Sequence, residues 1–312
     1  MNSSVDSVDG SSDRVALVTG AAGIVGPGIC EALQQAGWKV AAAELNEEAF
    51  SLYEWIHQKP FPADLRLTGD LSLRETCFRL VRETVEHFGS LALLVNGATA
   101  LTQGYSLEEL PEDYVQLQLR VDLLAPLYTV QAAIGALEKT KGLVVNFSSV
   151  MKENFPPKRM MYSVAKAGIE QMNTHLAMEL ADRGIRVNTI RVGSIAGDAF
   201  LRPALRALPQ ELARQLYADI MPKHLAEIRG VLTGNPGRPS DIASMILYLA
   251  SEQGAYINGA VLPVDGGFTT NRIKQSWKAS KGAPRTYSAR FNEDWKAELR
   301  QWLQEKGIHY EI

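Results

Sequence analysis

The chain has 312 residues, of which 46% are hydrophobic and 21% charged. This composition predicts a folded globular protein and excludes a disordered one, and the length allows one large domain or two small ones. The formal net charge is -3 at pH 7 and the sequence has no long basic run, so we expect no nucleic-acid partner. No apolar run approaches the roughly 20 residues that a membrane-spanning helix needs, so we expect no membrane partner.

Residues with the chemistry of disulfides and metal sites are few. The two cysteines, Cys30 and Cys77, lie in patterns typical of half-buried helices, which predicts reduced thiols and favours a reducing compartment such as the cytoplasm. Five histidines are scattered without ligand spacing, so we predict no metal site. Residues 1–13 are rich in Ser and Asp, and we expect a flexible N-terminal tail rather than a signal or transit peptide.

Strand and helix patterns alternate from residue 14 to residue 270. Apolar runs, typical of strands buried in a parallel sheet, predict seven strands at 14–19, 39–44, 65–68, 91–95, 143–148, 185–190 and 260–264. Helical periodicity predicts a helix ending at Ala36 and others at 46–58, 72–88, 107–137, 161–181 and 241–250. Asn46 is the expected cap of the second helix. The alternation predicts an α/β fold, a single Rossmann-type doubly wound sheet of seven parallel strands with helices on both faces.

Three segments depart from this alternation. The helix of 107–137 contains Pro111 and Pro126, and we expect a kink near Pro126. Residues 197–236, with helical patterns at 201–208 and 211–217, follow the carboxyl end of the sixth strand. That position predicts a substrate lid over the ligand crevice, with a plain structural insertion as the alternative.

The third segment, residues 271–312, is a C-terminal extension beyond the predicted domain of 14–270. A helix is predicted at 292–306, and its apolar side must pack against either this chain or a neighbouring subunit. The residues on that side are Phe291, Trp295, Leu299, Trp302 and Leu303.

A glycine-rich turn joins the first strand to the first helix. Its pattern is Thr-Gly-x-x-Gly-x-x-Gly, formed by Thr19, Gly20, Gly23 and Gly26. Small residues let the backbone approach a pyrophosphate, and the following helix offers its positive N-terminus. The turn therefore predicts a dinucleotide site at this edge of the sheet.

An acidic residue, Glu44, ends the second predicted strand. A carboxylate at this position can accept both ribose hydroxyls of an adenosine and repels a 2′-phosphate. No Arg or Lys stands at Ala21, Ala22 or Leu45, where a phosphate clamp is expected. The sequence therefore favours NAD over NADP.

A tyrosine, a lysine and a serine have the spacing of a proton-transfer site. Tyr162 and Lys166 are four residues apart, so both side chains lie on one helix face, and Ser149 precedes Tyr162 by thirteen residues. A free phenol, with a pKa near ~10, is a poor base at neutral pH, but a neighbouring cation and a desolvated pocket favour its phenolate. Such a set can move a proton to or from a carbinol oxygen.

On these motifs the chain resembles the short-chain dehydrogenase/reductase family over residues 14–270. Ser149, Tyr162 and Lys166 fall on the family's catalytic Ser, Tyr and Lys. Further matches are Asp70-Leu71, resembling its adenine-contacting Asp, Asn96-Gly97-Ala98-Thr99, resembling its Asn-Asn-Ala-Gly loop, and the landmarks Arg186-Val187-Asn188 and Val264-Asp265-Gly266-Gly267. The resemblance implies a cofactor site at Thr19, Gly20, Gly23, Ile24, Val25, Gly26, Glu44, Leu45, Asp70, Leu71, Asn96, Gly97, Ala98, Tyr162, Lys166, Val192, Gly193 and Ile195.

The chain also departs from the family's usual pattern. Ile24 stands where the commonest glycine motif has Gly, Thr99 where the second loop has Gly, and Val192 where a Pro is usual. The largest departure is Asp122, because the family usually places there an Asn thought to hold a water that links the catalytic lysine to solvent. Asp is nearly isosteric but adds a negative charge near Lys166, which predicts an altered proton relay. The alternative is that Asp122 only supports the kink near Pro126.

The resemblance implies an NAD-dependent oxidoreductase that interconverts a secondary alcohol and a ketone. Cations near the site favour a small polar substrate, namely a sugar, polyol or hydroxy acid: Lys152, Lys158, Arg159, Arg202, Arg206, Lys223 and His224. Acyl or steroid-like substrates, and an NAD-binding protein with weak or lost catalysis, are the alternatives. The family usually pairs its Tyr-bearing helices across a two-fold axis, so we expect a homodimer or homotetramer.

Overall fold

The computed structural model describes residues 14–100, 104–154, 158–197, 208, 211–213, 215–219, 231–271 and 294–307, with only the backbone at 154 and 294–298. Seven parallel strands form one sheet in the order β3-β2-β1-β4-β5-β6-β7. The strands are β1 (Val15–Thr19), β2 (Lys39–Glu44), β3 (Leu65–Thr68), β4 (Leu93–Asn96), β5 (Leu143–Ser149), β6 (Arg186–Val192) and β7 (Val261–Val264). This arrangement confirms the predicted fold class, and every predicted strand is present.

Nine α-helices have defined bounds in the described part of the chain, and helical residues also lie at 211–213, 215–219 and 268–271. The nine are α1 (Gly26–Gln35), α2 (Glu47–His57), α3 (Arg74–Phe88), α4 (Glu112–Leu119), α5 (Ala125–Thr140), α6 (Met151–Asn154), α7 (Met160–Leu180), α8 (Pro239–Ala250) and α9 (Asp294–Glu305). The predicted cap of α2 is confirmed, because the side chain of Asn46 accepts a hydrogen bond from the amide of Ala49 at 3.3 Å.

The hydrophobic core lies on both faces of the sheet. Ile29, Phe50 and Ile246 belong to one cluster of buried residues, under α1, α2 and α8. Leu80, Val130 and Leu176 belong to a second cluster, under α3, α5 and α7. All five residues of β1 are buried, which explains why its sequence is an unbroken apolar run rather than an alternating one.

Both cysteines are buried and free, as predicted. Burial raises the pKa of each thiol, to about 11 for Cys77. A thiol with so high a pKa is an inert core residue at neutral pH.

The predicted helix of 107–137 is wrong in detail. Its chain runs as α4, a π-helical turn over Arg120–Leu124, and α5, with Pro126 in the first turn of α5. The π turn inserts one extra residue per turn, which rotates the side chains that follow it. The expected break near Pro126 is therefore present, but it takes the form of a π turn and contains Asp122.

The C-terminal helix α9 packs on its own chain. Leu299, Trp302 and Leu303 are buried in a small cluster with Leu216 of the 211–219 segment, and Leu52 of α2 packs against that cluster. The indole Nε1 of Trp302 donates to Asp219 Oδ2 at 3.0 Å. Of the two alternatives for this face, docking on the chain itself is the one found. Residues 1–13, most of 197–236 and the predicted helix start at 292 lie outside the described residues.

No helix in the described part of the chain is long and apolar enough to cross a membrane. Nor do His, Cys, Asp and Glu side chains form a group that could hold a metal ion within those same residues.

Candidate active site

The carboxyl ends of β1 and β4 meet where the strand order reverses, and α/β sheets bind ligands at such a point. Thr19 ends β1, and its hydroxyl accepts hydrogen bonds from the amides of Gly97 at 3.2 Å and Ala98 at 3.3 Å. One side chain thus ties the glycine turn to the loop after β4. The two predicted cofactor loops are neighbours in space.

The glycines of the turn leave no room for side chains, and Gly20 also has a left-handed backbone. Its φ is +65°, and a Cβ there would lie 2.6 Å from the Cα of Ala98. Gly23 closes the turn through its amide, which donates to the carbonyl of Gly20 at 2.9 Å. Gly26 begins α1, and a Cβ there would lie 2.2 Å from the carbonyl oxygen of Ala21.

The N-terminus of α1 fits an anion. No side chain caps its first turn and the turn holds no acidic residue, so the amides at this end have no competing acceptor from the helix's own cap. The half-exposed side chain of Ile24 and residue Val25, which is the N-cap, flank this end. The residues present therefore fit the pyrophosphate of a dinucleotide.

Glu44 reaches from the end of β2 to the glycine turn. Its Oε1 accepts from the amide of Ala22 at 2.8 Å and its Oε2 from the amide of Leu45 at 3.1 Å. The carboxylate therefore lies beside the turn, as an adenosine-ribose acceptor must. The neighbouring residue, Leu45, is exposed. Position 45 therefore holds an apolar side chain rather than a cation.

The remaining adenine-side residues lie at the end of β3. Asp70 is exposed, and its Oδ1 accepts from the amide of Ser72 at 2.8 Å. Leu71 is buried against the core cluster under α3. Both residues stand at the carboxyl edge of the sheet, where the family resemblance places them.

Asn96 is held rigidly at the end of β4. Its Nδ2 donates to Asn146 Oδ1 at 2.9 Å, and its Oδ1 accepts from the Thr129 hydroxyl at 2.8 Å. All three residues are buried. This polar chain fixes the loop of Gly97 and Ala98 relative to β5 and α5.

Ser149, Tyr162 and Lys166 come from two adjacent elements. Ser149 is the last residue of β5, and Tyr162 and Lys166 lie one turn apart near the start of α7. Lys166 Nζ lies 5.6 Å from the centre of the Tyr162 ring. The Ser149 hydroxyl accepts a hydrogen bond from the amide of Met151 at 3.2 Å.

Asp122 forms a direct ion pair with Lys166. Its Oδ1 lies 3.1 Å from Lys166 Nζ, and both side chains are buried. The same carboxylate accepts hydrogen bonds from the Thr99 hydroxyl, from the amide of Ala100 at 3.0 Å and from Gln118 Nε2 at 3.2 Å. Four donors thus surround one buried carboxylate and satisfy both of its oxygens.

This ion pair sets the protonation of Lys166. Burial is the largest single influence and disfavours the ammonium, but the negative charge of Asp122, the electrostatic influence of Tyr162 and the hydrogen bond to Asp122 together raise the pKa of Lys166 above its usual value. Lys166 is therefore a fixed cation at neutral pH.

Sequence reasoning missed Gln118 and the role of Thr99. Gln118 is fully buried, and its Oε1 has no partner among the described residues. An unpartnered buried acceptor of this kind is a place where a water can bind. The available signal was a Gln four residues before Asp122, and Thr99 stood out only as a departure from Gly.

The carboxyl end of β6 lies beside that of β5 and borders the candidate site. The amide of Gly193 donates to the carbonyl of Val264 at 3.0 Å, and a Cβ at Gly193 would lie 2.4 Å from the Cα of Asp265. Ile195 forms an isolated parallel bridge with Gly237. Val192 ends β6 opposite Ser149, so the predicted nicotinamide-side residues lie next to the predicted catalytic serine.

A family model described as enoyl-(acyl carrier protein) reductase matches residues 20–269. The chain belongs to the short-chain dehydrogenases/reductases. Within this family it is 31% identical to an acetoacetyl-CoA reductase of Allochromatium vinosum, over 81% of this chain and 98% of that protein. It is also 31% identical to a 1,6-dihydroxycyclohexa-2,4-diene-1-carboxylate dehydrogenase of Pseudomonas putida, over 81% of this chain and 92% of that protein.

Among solved structures, a blue fluorescent protein from a metagenomic library, in complex with NADPH, has the same fold, with a TM-score of 0.65 and 24% identity over 82% of this chain and 97% of that one. The family shown by these matches is the one that the sequence motifs resemble. This short-chain dehydrogenase/reductase is an NAD(P)-dependent oxidoreductase acting on CH–OH groups.

Proposed function

We propose that this short-chain dehydrogenase/reductase is an NAD-preferring enzyme that oxidises a small polar secondary alcohol, or reduces the matching ketone, and that its substrate is a hydroxy acid or a polyol that bears a carboxylate. The observation that carries the substrate class is Arg159. It lies three residues before Tyr162, and its side chain is partly buried. Burial lowers the pKa of Arg159, and the electrostatic influence of Tyr114 and Tyr162 opposes that effect. A partly desolvated guanidinium near the catalytic phenol suits a substrate carboxylate.

The two other cations between Ser149 and Tyr162, Lys152 and Lys158, are less suited to this role. Lys152 Nζ lies 3.0 Å from Glu170 and 3.3 Å from Glu153, so its charge is already neutralised. Lys158 is exposed. Arg159 is partly buried and only three residues before Tyr162, which makes it the better candidate for anion recognition.

Each side chain of the site has a separate part in the proposed mechanism. When bound, the nicotinamide supplies the hydride acceptor or donor. Tyr162 takes the proton of the substrate hydroxyl in the oxidising direction and returns it in the reducing direction. Lys166 keeps a positive charge 5.6 Å from the centre of that ring, which favours the phenolate. Ser149 binds the substrate oxygen and stabilises the charge that develops on it.

The preference for NAD rests on Glu44. Its carboxylate is held at the glycine turn by the amide of Ala22 at 2.8 Å. A 2′-phosphate at the adenosine ribose would meet this negative charge, with no cation at Leu45 to offset it.

A second candidate is an acyl-thioester reductase. The similarity to an acetoacetyl-CoA reductase, together with the description of the matching family model, favours it. Such an enzyme would accept acetoacetyl-CoA with NADH and would not depend on Arg159 for a carboxylate.

The proposal is tested by initial rates with NAD and matched pairs of alcohols that differ only in a carboxylate, beside acetoacetyl-CoA with NADH. We expect the carboxylate-bearing member of a pair to react faster. Arg159→Met should raise the KM of that substrate by about tenfold or more and leave the KM of the neutral partner unchanged. Lys158→Met, which removes the neighbouring exposed charge, is the matched control. Equal rates for the members of each pair would overturn the carboxylate assignment, and turnover of acetoacetyl-CoA alone would favour the second candidate.

Catalysis itself is tested at Tyr162. Tyr162→Phe removes the proton-transferring hydroxyl and keeps the ring, so turnover should fall by about a thousandfold or more while NADH affinity changes little. Measurement of kcat and of NADH binding by fluorescence separates the two effects. Substantial activity in Tyr162→Phe would contradict the assignment of Tyr162 as the proton-transferring residue.

We also propose that the chain assembles as a homodimer or homotetramer. Leu117 of α4 and Val164 of α7 are exposed apolar side chains on two helices that pack together. Light scattering after size-exclusion chromatography gives the native mass, and a monomer at micromolar concentration would contradict assembly.

A further inference from the structure

Four charged side chains near the end of the Ser149 strand are linked by ion pairs. We call this group the Arg191 cluster, and its members are Lys152, Glu153, Glu170 and Arg191. Arg191 Nε and Nη2 each lie 2.8 Å from an oxygen of Glu170, a bidentate pair. Arg191 Nη1 lies 2.8 Å from Glu153. Lys152 bridges the same two carboxylates, at 3.0 Å and 3.3 Å. The cluster contains two positive and two negative charges, so it is neutral as a whole.

The cluster joins three elements that carry the reacting groups. Arg191 lies on β6, Glu170 on α7, and Lys152 and Glu153 on α6, the short helix that directly follows Ser149. Glu170 lies one helical turn after Lys166, on the same face of α7. The cluster therefore connects the end of the serine strand with the helix of Tyr162 and Lys166.

Ser148 extends the cluster to the residue next to Ser149. Its hydroxyl lies 2.7 Å from Glu170 Oε1 and 3.1 Å from the carbonyl oxygen of Lys166. The next element, α6, is tied to both sides of the site. The amide of Met151 donates to Ser149 Oγ at 3.2 Å, and the carbonyl oxygen of Met151 accepts a hydrogen bond from the Ser163 hydroxyl at 3.1 Å.

Stability alone does not account for such a group. Glu170 and Arg191 have side chains only 12% and 16% exposed, and ion pairs at that depth lose much of their attraction to the cost of desolvation. Their geometry, however, is specific, because a bidentate Arg–carboxylate pair tolerates little rotation or displacement. The well-defined geometry of the cluster therefore fixes the relative positions of β6, α7 and α6 more than it stabilises the fold.

We propose that Arg191 and Glu170 are positioning residues, which hold Ser149 at the distance from Tyr162 that the reaction requires. The inference rests on the proposed function, since it gives Ser149 and Tyr162 their catalytic parts. Neither residue of the pair touches the reacting atoms. Loss of the pair lets the residues after Ser149 move relative to α7, and misplacement of a reacting group by about 1 Å can cost about a hundredfold in rate.

The test compares three variants with the wild type. Arg191→Met removes the fork and keeps much of the aliphatic volume, Glu170→Gln keeps an acceptor for Ser148 but removes the charge, and Arg191→Lys keeps the charge without the bidentate geometry. The matched control is Arg66→Met, because Arg66 lies on β3 and also binds two glutamates, Glu47 and Glu54. A decrease in the thermal unfolding midpoint that Arg66→Met and Arg191→Met share reflects lost stability, not a lost position of Ser149.

We expect kcat to fall by about tenfold or more in Arg191→Met, by less in Arg191→Lys, and not in Arg66→Met. NADH affinity should stay within about twofold in all of them, because the adenosine side of the site does not touch the cluster. A kcat in Arg191→Met and Glu170→Gln equal to that of Arg66→Met would overturn the proposal. If Arg191→Met does not fold, Glu170→Gln decides by the same criterion.

A measurement without substrate keeps this inference separate from the proposed function. Amide hydrogen exchange at 150–153 in the NADH complex should be faster in Arg191→Met than in the wild type, and unchanged in Arg66→Met. If the wild type turns over no substrate, the proposed function fails, and this exchange then decides. Unchanged exchange at 150–153 in Arg191→Met would overturn the positioning role.

Discussion

Asp122 is the residue at which this chain differs most in charge from the pattern of its family. An Asn at this position offers one donor and one acceptor, whereas Asp offers two acceptors and a negative charge. The structure uses both oxygens, with Lys166 and Thr99 at one and Ala100 and Gln118 at the other. Asp122 therefore does more than support a kink, because its carboxylate contacts Lys166, the predicted catalytic lysine.

Asp122→Asn should move the alkaline limb of the rate–pH profile to lower pH. Asp122 raises the pKa of Lys166 against the effect of burial, so its neutralisation lowers the pH at which Lys166 loses its proton. The measurement is kcat/KM against pH.

The control for this prediction is Glu112→Gln, which removes one negative charge from the exposed start of α4. Its profile should match that of the wild type. If Asp122→Asn also leaves the alkaline limb in place, Asp122 has no part in the proton relay.

Glu44→Gln should reduce discrimination against NADP. Gln keeps an acceptor for the amide of Ala22 but removes the charge that repels a 2′-phosphate. The ratio of kcat/KM for NAD to that for NADP should fall by about tenfold. Glu48→Gln removes an exposed charge four residues away and should leave the ratio unchanged. An equal fall in both variants would mean that net charge, not contact at the ribose, sets the preference.

At the scale of elements, the site depends on the close approach of α7 to the π turn. A Cβ at Gly168 would lie 3.0 Å from Leu123 Cδ1, so this glycine allows the turn to pass next to the helix. Lys166 is two residues away on α7, and Asp122 adjoins Leu123. The absence of a side chain at Gly168 therefore helps to bring the two charges within 3.1 Å.

Gly168→Val should push the two elements apart and weaken the ion pair. We expect a destabilisation of about 1–3 kcal/mol from overpacking, together with a lower kcat. Gly135→Val is the matched control, because Gly135 lies in α5 with nothing within 4 Å of a Cβ. Urea unfolding and kcat of the two variants distinguish crowding from helix propensity. Equal effects at Gly168 and Gly135 would exclude a role for the helix crossing.

For the molecule as a whole, the sequence predicts what depends on local pattern. The strands were predictable because continuous apolar runs such as Val15–Val18 report burial on both faces, and the edge strand Leu65–Thr68 was found to its exact bounds. The catalytic set was predictable because its spacing is local. The start of β4 was placed two residues early, since Leu91 is a buried apolar residue outside the ladder.

Features built from distant residues were not predictable. A π turn has no periodicity of its own in the sequence, and only the flanking prolines marked a break. The partners of Asp122 include Thr99, which is 23 residues away along the chain. The Arg191 cluster spans residues 152–191, and each member alone reads as an ordinary surface charge. Such contacts follow from the packing of β6, α6 and α7.

The C-terminal helix links two parts of the molecule that are far apart in sequence. Trp302 packs with Leu216 and against Leu52, so α9 covers both the 211–219 segment and α2. Trp302→Ala removes the largest side chain of this contact and its hydrogen bond to Asp219, at a cost of about 3–5 kcal/mol to the docking of α9. The helix should then detach, and hydrogen exchange at 211–219 should rise.

Detachment of α9 should also affect the substrate side, because the 211–219 segment belongs to the predicted lid of 197–236. We expect KM for substrate to rise more than kcat falls, since a loosened lid binds substrate less well but leaves Ser149, Tyr162 and Lys166 in place. Arg300→Ala is the control, because Arg300 lies on the exposed side of α9. Unchanged exchange and an unchanged KM in Trp302→Ala would show that the extension neither orders the segment nor serves the site.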